Sequence, residues 1–408
     1  MAGLPGGWWK KSNERVKNLA NFLFIAFDFP PILSPESVQI QRRALVLARA
    51  GHSVTVLTSH ENPKFETLDP ALSIKHPNLR LLRTKKPAFE TLQNAVGKFL
   101  QIADRKVWWI PLAARAASKL LTTEKFDAFY THSTPLASHL VGLKIKKYFP
   151  HLRWIAHFSD PWTQNSYIRY QFAWQENANK RLEEKVLRAA DRLSVTSEKT
   201  RQLFIDRYPF LTNKSAVLPH LFDPAAYCKT AKNPSEKIIL VHTGHIYGLR
   251  TAAALFHTLC ANPLPALEIH LYGRIHEHEA RMITELGLQK QVFIHPTVSY
   301  GESLAAMANA DALLVIDAPL ENSPFFPSKL ADYLGAKKPI IALTPSDSTT
   351  ADILRSCGQQ NHIAHSNDKT AIGMVLARLD KAAVPCHLEP YNMDFSASAL
   401  LKVFQNDR

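Results

Sequence analysis

Two strand-length apolar runs, one helix length apart, set what this chain can fold into. Asn21–Phe27 is the first, and it runs out into Asp28-Phe29-Pro30-Pro31. Ser34 then has the character of an N-cap, with Pro35 at the first helical position. The following helix carries Val38, Leu45 and Ala48 on one face and stops at Gly51, and His52–Ser59 alternates as a second strand. Strand, helix and strand joined this tightly form a βαβ unit, which requires a parallel sheet covered on both faces.

The alternation continues along the chain. Strands are expected at 78–83, 128–132, 154–158 and 193–196, with helices at 90–121, 136–149, 171–190 and 198–208. Periodicity fails over 209–232, where Pro209, Pro219 and Pro224 fall, so an inter-domain linker is placed there. A second series follows. Strands are expected at 237–243, 267–272, 292–295, 312–316 and 339–343, and helices at 249–260, 275–287, 301–309, 328–334, 371–379 and 395–404. The fold class is therefore α/β, with two Rossmann-like, doubly wound domains facing across a cleft. The expected divisions are a tail over 1–20, a first domain over 21–215 and a second over 216–385. A helical segment over 386–408 is expected to pack back toward the first domain. Ligand sites in such sheets lie beyond the carboxyl ends of the strands.

Composition narrows the class. Cys228, Cys260, Cys357 and Cys386 lie far apart with no C-x-x-C pair, which reads as reduced, buried thiols of a cytoplasmic protein rather than a disulfide frame or zinc site. No run is long and apolar enough to span a bilayer. Residues 1–215 hold 33 of the 49 Lys+Arg but only 17 of the 35 Asp+Glu. A basic half of this kind attracts phosphates or an anionic membrane surface, although solubility alone is a competing explanation. Nucleic acid is excluded as a partner because no recognition motif accompanies the charge. Lys98, Phe99, Leu100, Arg105, Lys106, Trp108 and Trp109 form a candidate docking face, and a buried helix with a solvated edge is the equal alternative.

Two segments carry candidate chemistry. In Pro327–Ile341, Ser328 is placed as the cap of a short helix that Gly335 ends. First-turn amides at such a helix start stabilise a phosphate. Lys329 adds a charge that is unfavourable to the helix by about 0.3–1 kcal/mol unless an anion answers it, and Asp332 lies one turn on, within reach of ribose hydroxyls. In Leu240–Arg250, a strand enters a turn where Gly244 lets backbone approach a phosphate and Arg250 can clamp it. An ordinary capped helix and an ordinary glycine turn are the competing readings. Asp160, in a Asp160-Pro161-Trp162 turn after an apolar strand, sits at a carboxyl edge, as does Asp28. The chain has no D-x-D, no P-loop, no G-x-S-x-G and no metal-ligand spacing.

Together these segments resemble family 4 of the retaining glycosyltransferases, which have the GT-B fold. The resemblance is carried by Phe29-Pro30-Pro31, by Ala50–Thr58, by Ala189–Leu193 with Ser197, by Leu218–Pro224, and most specifically by Lys329–Ile341. It spans nearly all of 21–385. It implies a nucleotide-sugar donor whose diphosphate meets Gly244, His245, Arg250, Ser328, Lys329 and Leu330, and whose ribose meets Asp332. It also implies a role for His132 near the transferred sugar, with Asp160 facing the cleft as a second catalytic candidate. No cofactor or metal is implied, because helix amides and basic side chains stabilise the leaving diphosphate. The acceptor is expected to be a glycan or lipid-linked glycan of bacterial surface polysaccharide assembly, used by a cytoplasmic enzyme peripheral to the inner face of the cell membrane. The sequence departs from the family at three points. Ser34-Pro35-Glu36-Ser37 stands where a glycine pair is usual, making Ser34 and Glu36 acceptor-side or loop candidates. Pro324 stands where a first glutamate is usual, and His245 where an arginine is. These departures keep two other readings in view, an inert binding or scaffold homologue and a sugar-nucleotide epimerase on the same fold.

Overall fold

The computed structural model describes residues 19–227, 237–379 and 383–405. The expected N-terminal tail and Cys228 fall almost wholly outside these ranges. The chain divides into two compact units, one formed by Met1–Leu221 with Met393–Arg408 and the other by Phe222–Asn392.

In the first unit seven parallel strands are β1 (Asn21–Ala26), β2 (Ser53–Thr58), β3 (Leu79–Arg83), β4 (Ala128–Ser133), β5 (Arg153–Phe158), β6 (Arg192–Val195) and β7 (Ser215–Val217). Their order is β3-β2-β1-β4-β5-β6-β7. β1 pairs with both β2 and β4, so the winding reverses there. The segment read as linker thus supplies a seventh strand, three residues long and half-buried. It is too short to show a period, and its flanking prolines hide it. The helix expected over 90–121 is two helices, Glu90–Leu100 and Trp109–Thr123, because Gln101 and Ala103 adopt positive φ and turn the chain.

The second unit repeats the plan with β8 (Ile238–Thr243), β9 (Leu267–Tyr272), β10 (Val292–His295), β11 (Ala312–Ile316), β12 (Ile340–Leu343) and β13 (Ile363–Ala364), in the order β10-β9-β8-β11-β12-β13. β8 pairs with β9 and β11, placing the reversal between β8 and β11. The sequence reading did not anticipate the helix Thr349–Ser356 or β13. Near-continuous apolar residues in β1, β8 and β11, Phe, Leu and Ile in the first and Ile, Leu and Val in the others, match burial on both sheet faces.

Two further expectations are corrected. Trp109 is fully buried and Trp108 nearly so in the core of the first unit, and the Lys106 ammonium is paired with Glu66 at 2.9 Å and lies over the Phe27 ring, so these three take no part in a docking face, while Lys98, Phe99 and Arg105 of the expected set are exposed. Of the described cysteines only Cys357 is buried, while Cys260 and Cys386 are exposed.

Candidate functional site

In the second unit the chemistry collects at the carboxyl ends of β8, β11 and β12, beside the winding reversal. The helix Ser328–Ala336 is fixed there by Tyr333, whose hydroxyl accepts from the Thr243 amide at 2.8 Å and donates to the Leu314 carbonyl at 3.3 Å. Lys329 is four residues earlier and so on the same helix face. Its ammonium lies 3.2 Å from His242 Nε2. The other ring nitrogen of His242 meets the Leu314 carbonyl at 2.9 Å, so Nδ1 donates there and Nε2 accepts from the lysine. Gly244, at φ 101°, makes room for this arrangement, because a Cβ there would meet Lys329 Nζ at 2.9 Å.

The electrostatics are lopsided. Burial brings the Lys329 ammonium down to about 7, with nearby Arg250 pushing the same way and Asp317 opposing. Burial and Lys329 also hold His242 well below the usual histidine range. His245 is lowered by burial, Arg274 and Lys329, and its Nδ1 accepts from the Arg274 amide at 3.0 Å. The Arg250 guanidinium stacks over the Tyr247 ring, 4.9 Å from its centroid. The answering charge is Asp317, which follows β11 directly. Its carboxylate accepts from Thr344 Oγ1 at 3.0 Å, and burial raises its affinity for a proton. Lys329, Arg250 and two histidines against one buried carboxylate form a cationic recess suited to an anion of more than one charge.

Three details differ from the sequence reading. Ser328 does not cap its helix. Pro327 holds that position without a side-chain bond, and the helix runs through Gly335 to Ala336, ending at Lys337 in the left-handed region. Gly335 is small because a Cβ there would meet the Tyr227 hydroxyl at 2.5 Å. The Leu330 amide already donates to the Pro327 carbonyl at 2.8 Å and its side chain lies in the core, so Ser328 and Lys329 carry the first-turn amides of the kind a helix leaves open. Asp332 is buried, with its carboxylate accepting from Tyr300 Oη at 2.8 Å and its carbonyl from Tyr227 Oη at 2.9 Å, so a ribose would share it with two tyrosines. His242, Asp317, Thr344 and Tyr333 went unassigned by sequence reasoning. Asp317 was findable, since it is the residue after a strand that borders the reversal.

The first unit gathers a different set at the ends of β1, β4 and β5. Ser34 caps the helix Pro35–Arg49 by accepting from the Ser37 amide at 3.1 Å, and its hydroxyl donates to Asp28 at 2.9 Å. Glu36, in the first turn, meets His132 Nε2 at 2.6 Å and accepts from Ser159 Oγ at 2.6 Å. His132 is 1% exposed, and its Nδ1 is buried without a hydrogen-bond partner. Burial raises Glu36 to about 8, against the bond from Ser159 and the Arg43 charge, while burial and Arg43 hold His132 far below its usual value. Burial thus disfavours charge on both partners, and the 2.6 Å contact between Glu36 Oε2 and His132 Nε2 is a single hydrogen bond. Glu36 is the more accessible of the two, at 14%. Asp160 follows Ser159 and is half-buried, and Trp162 beyond it is core, donating from Nε1 to Asn179 at 3.0 Å. Burial holds the Asp28 carboxyl up to about 6.

Among the described residues, no group of three or more His, Cys, Asp or Glu is placed to hold a metal ion, and no helix is long and apolar enough to cross a membrane.

Two Rossmann-type parallel sheets in sequence, each with polar residues at the carboxyl edge of its winding reversal, give the chain the GT-B fold. Residues 37–226 match the family described as Glycosyltransferase Family 4. Solved structures agree on the fold. Sucrose-phosphate synthase from Thermosynechococcus elongatus superposes with a TM-score of 0.62 at 15% identity, over 95% of both chains. Anabaena HepE, solved in complex with UDP and glucose, gives 0.61 at 15% identity, over 95% of this chain and 97% of that one. WaaG, a glycosyltransferase involved in lipopolysaccharide biosynthesis, gives 0.57 at 14% identity, over 95% and 96%. No curated protein matches the chain by sequence.

Proposed function

We propose that the protein transfers a sugar from a nucleoside-diphosphate donor to a glycan or lipid-linked acceptor, as a step in assembling a bacterial surface polysaccharide. The observation that carries the reading is the cationic cluster of the second unit, where Lys329 and Arg250 lie near the one buried carboxylate of Asp317 and His242 meets Lys329 at 3.2 Å. A diphosphate supplies the missing negative charge. The amides of Ser328 and Lys329 and the two cations then stabilise the charge that develops on the departing nucleoside diphosphate. His245 and the Gly244 turn lie along the same edge, and Asp332 offers a carboxylate for the ribose. The HepE complex with UDP supports a donor of this class. WaaG and the lipopolysaccharide outer core galactosyltransferase WaaB support the pathway.

In this reading no metal takes part. The acceptor binds the first unit, where Ser34, Glu36, His132 and Asp160 border the carboxyl edge. Glu36 and His132 share a hydrogen bond there and can orient or relay a proton. The anomeric configuration is kept when the acceptor attacks the face that the leaving group vacates.

Calorimetric titration with UDP, GDP and ADP tests the reading. One of them should bind, and Arg250→Ala and Lys329→Ala should each weaken it about 10- to 100-fold, the worth of a charge-assisted hydrogen bond. Sugar transfer should persist in excess chelator. Unchanged affinity in both variants would remove the donor assignment.

A further inference from the structure

One face of the first unit is apolar and open. The helix Glu90–Leu100 is fastened along one side only. Glu90 accepts from Asn62 Nδ2 at 2.6 Å and meets His60 Nε2 at 2.9 Å, and Asn94 accepts from Trp108 Nε1 at 2.9 Å. Gly97 crosses the Arg105 backbone so closely that a Cβ would meet its carbonyl oxygen at 2.7 Å. Opposite this seam stand Phe89, Leu92, Val96 and Phe99, which are 70, 64, 48 and 65% exposed. Steps of three, four and three keep them in one line on the helix.

A second segment extends the face. Gln175 Nε2 donates to the Phe99 carbonyl at 3.0 Å and Asn179 Nδ2 to that of Gln101 at 2.7 Å, tying the start of the helix Ala173–Ala189 to the end of the first. There Phe172 and Trp174 are exposed, with rings 6.3 Å apart.

The charge around these residues is mostly positive, the nearby half-exposed Glu176 being paired with Lys180 at 2.6 Å. Lys85, Lys86, Lys98, Arg105 and Arg169 are exposed. The carboxylates of residues 85–105 and 165–174 are Glu90 and Asp104, and both turn inward. Glu90 meets His60 and Asn62, and Asp104 accepts from the amides of Lys106 and Ala137.

We propose that this face docks the protein on an anionic lipid bilayer. Phe89, Leu92, Val96 and Phe99 enter the boundary between headgroups and acyl chains, and the long lysine stems let their ammonium groups stay at headgroup level. A second copy of the chain is a poor occupant, because a self-complementary interface would set the same five cations against one another. The proposal stands apart from the donor reading, since a protein with this face docks whether or not it transfers sugar.

Co-sedimentation of the full-length protein with phosphatidylcholine vesicles, with and without phosphatidylglycerol, decides it. The protein should pellet with phosphatidylglycerol vesicles and be released by high salt. Lys85→Gln/Lys86→Gln/Lys98→Gln should weaken binding about a hundredfold, at about fivefold for each cation lost. Phe89→Ser/Phe99→Ser should abolish the apolar part, seen as loss of the quenching by brominated lipid that Trp174→Phe also removes. All substituted side chains are exposed, and circular dichroism checks that the variants fold. The proposal fails if the native protein stays in the supernatant, or if both variants bind as it does. It also fails if the variants alter only the sedimentation-equilibrium mass, which would make the face a protein interface.

Discussion

Lys329 concentrates the behaviour of the second unit in one ammonium. Without an anion it sits near Arg250 and His242 and its proton is weakly held, at about 7 rather than 10.5. A bound diphosphate pulls that value up again. Affinity is then full below about pH 7, where the lysine is already charged, and falls as pH rises toward the bound-state value. Nucleotide titrations between about pH 6 and about pH 9 should show this decline, and in buffers of different ionisation enthalpy they should show proton uptake near neutrality. Both effects should vanish in Lys329→Gln. In the first unit, His132 depends on its neighbours in another way. Ser159 Oγ donates to the Glu36 carboxyl from a different segment, and Glu36 in turn holds the more deeply buried imidazole.

At the scale of elements, the helix Ala137–Tyr148 shows how closely the layers fit. A Cβ on Gly142 would come within 2.5 Å of the Trp154 ring on β5 and 2.9 Å of Thr131 on β4. Trp154 is fully buried and its Nε1 donates to Thr131 Oγ1 at 2.8 Å, so neither side can yield cheaply. Gly142→Ala should lower stability by about 1–3 kcal/mol in denaturant unfolding while leaving nucleotide affinity unchanged. Most strands and helices were legible in the sequence because central strands such as β1, β8 and β11 are near-continuous apolar runs and others, such as β2, alternate. Elements that escaped were short or weakly patterned, such as β7, β13 and the helix Thr349–Ser356. The break after Leu100 escaped because positive φ at Gln101 and Ala103 has no glycine to announce it. Around the recess, Gly244, Arg250 and Lys329 lay within recognisable segments. The partners that tune them did not, because His242, Asp317 and Thr344 come from three strands whose adjacency exists only after the sheet orders itself as β8-β11-β12. Ser328 was misread as a cap because Pro327, with no side-chain acceptor, takes that position.

For the whole molecule, the decisive arrangement is that the chain passes from the first unit to the second after Leu221 and returns at Met393. The returning helix Ala397–Phe404 lays Leu400, Val403 and Phe404 on the first sheet, where Phe404 stacks with Phe24 and Tyr130 and packs at a tilt against Phe22. A chain stopped after Asn392 should lose more than about 5 kcal/mol from the first unit, the worth of several buried large side chains. Its near-ultraviolet circular dichroism should show a loosened first unit, and adding a peptide of residues 393–408 in trans should restore the signal. The same stitch sets an order of events during synthesis. The opening strands leave the ribosome first but find their covering aromatic ring only when the last segment follows. Until then the nascent chain must shelter Phe22, Phe24 and Tyr130 by other means.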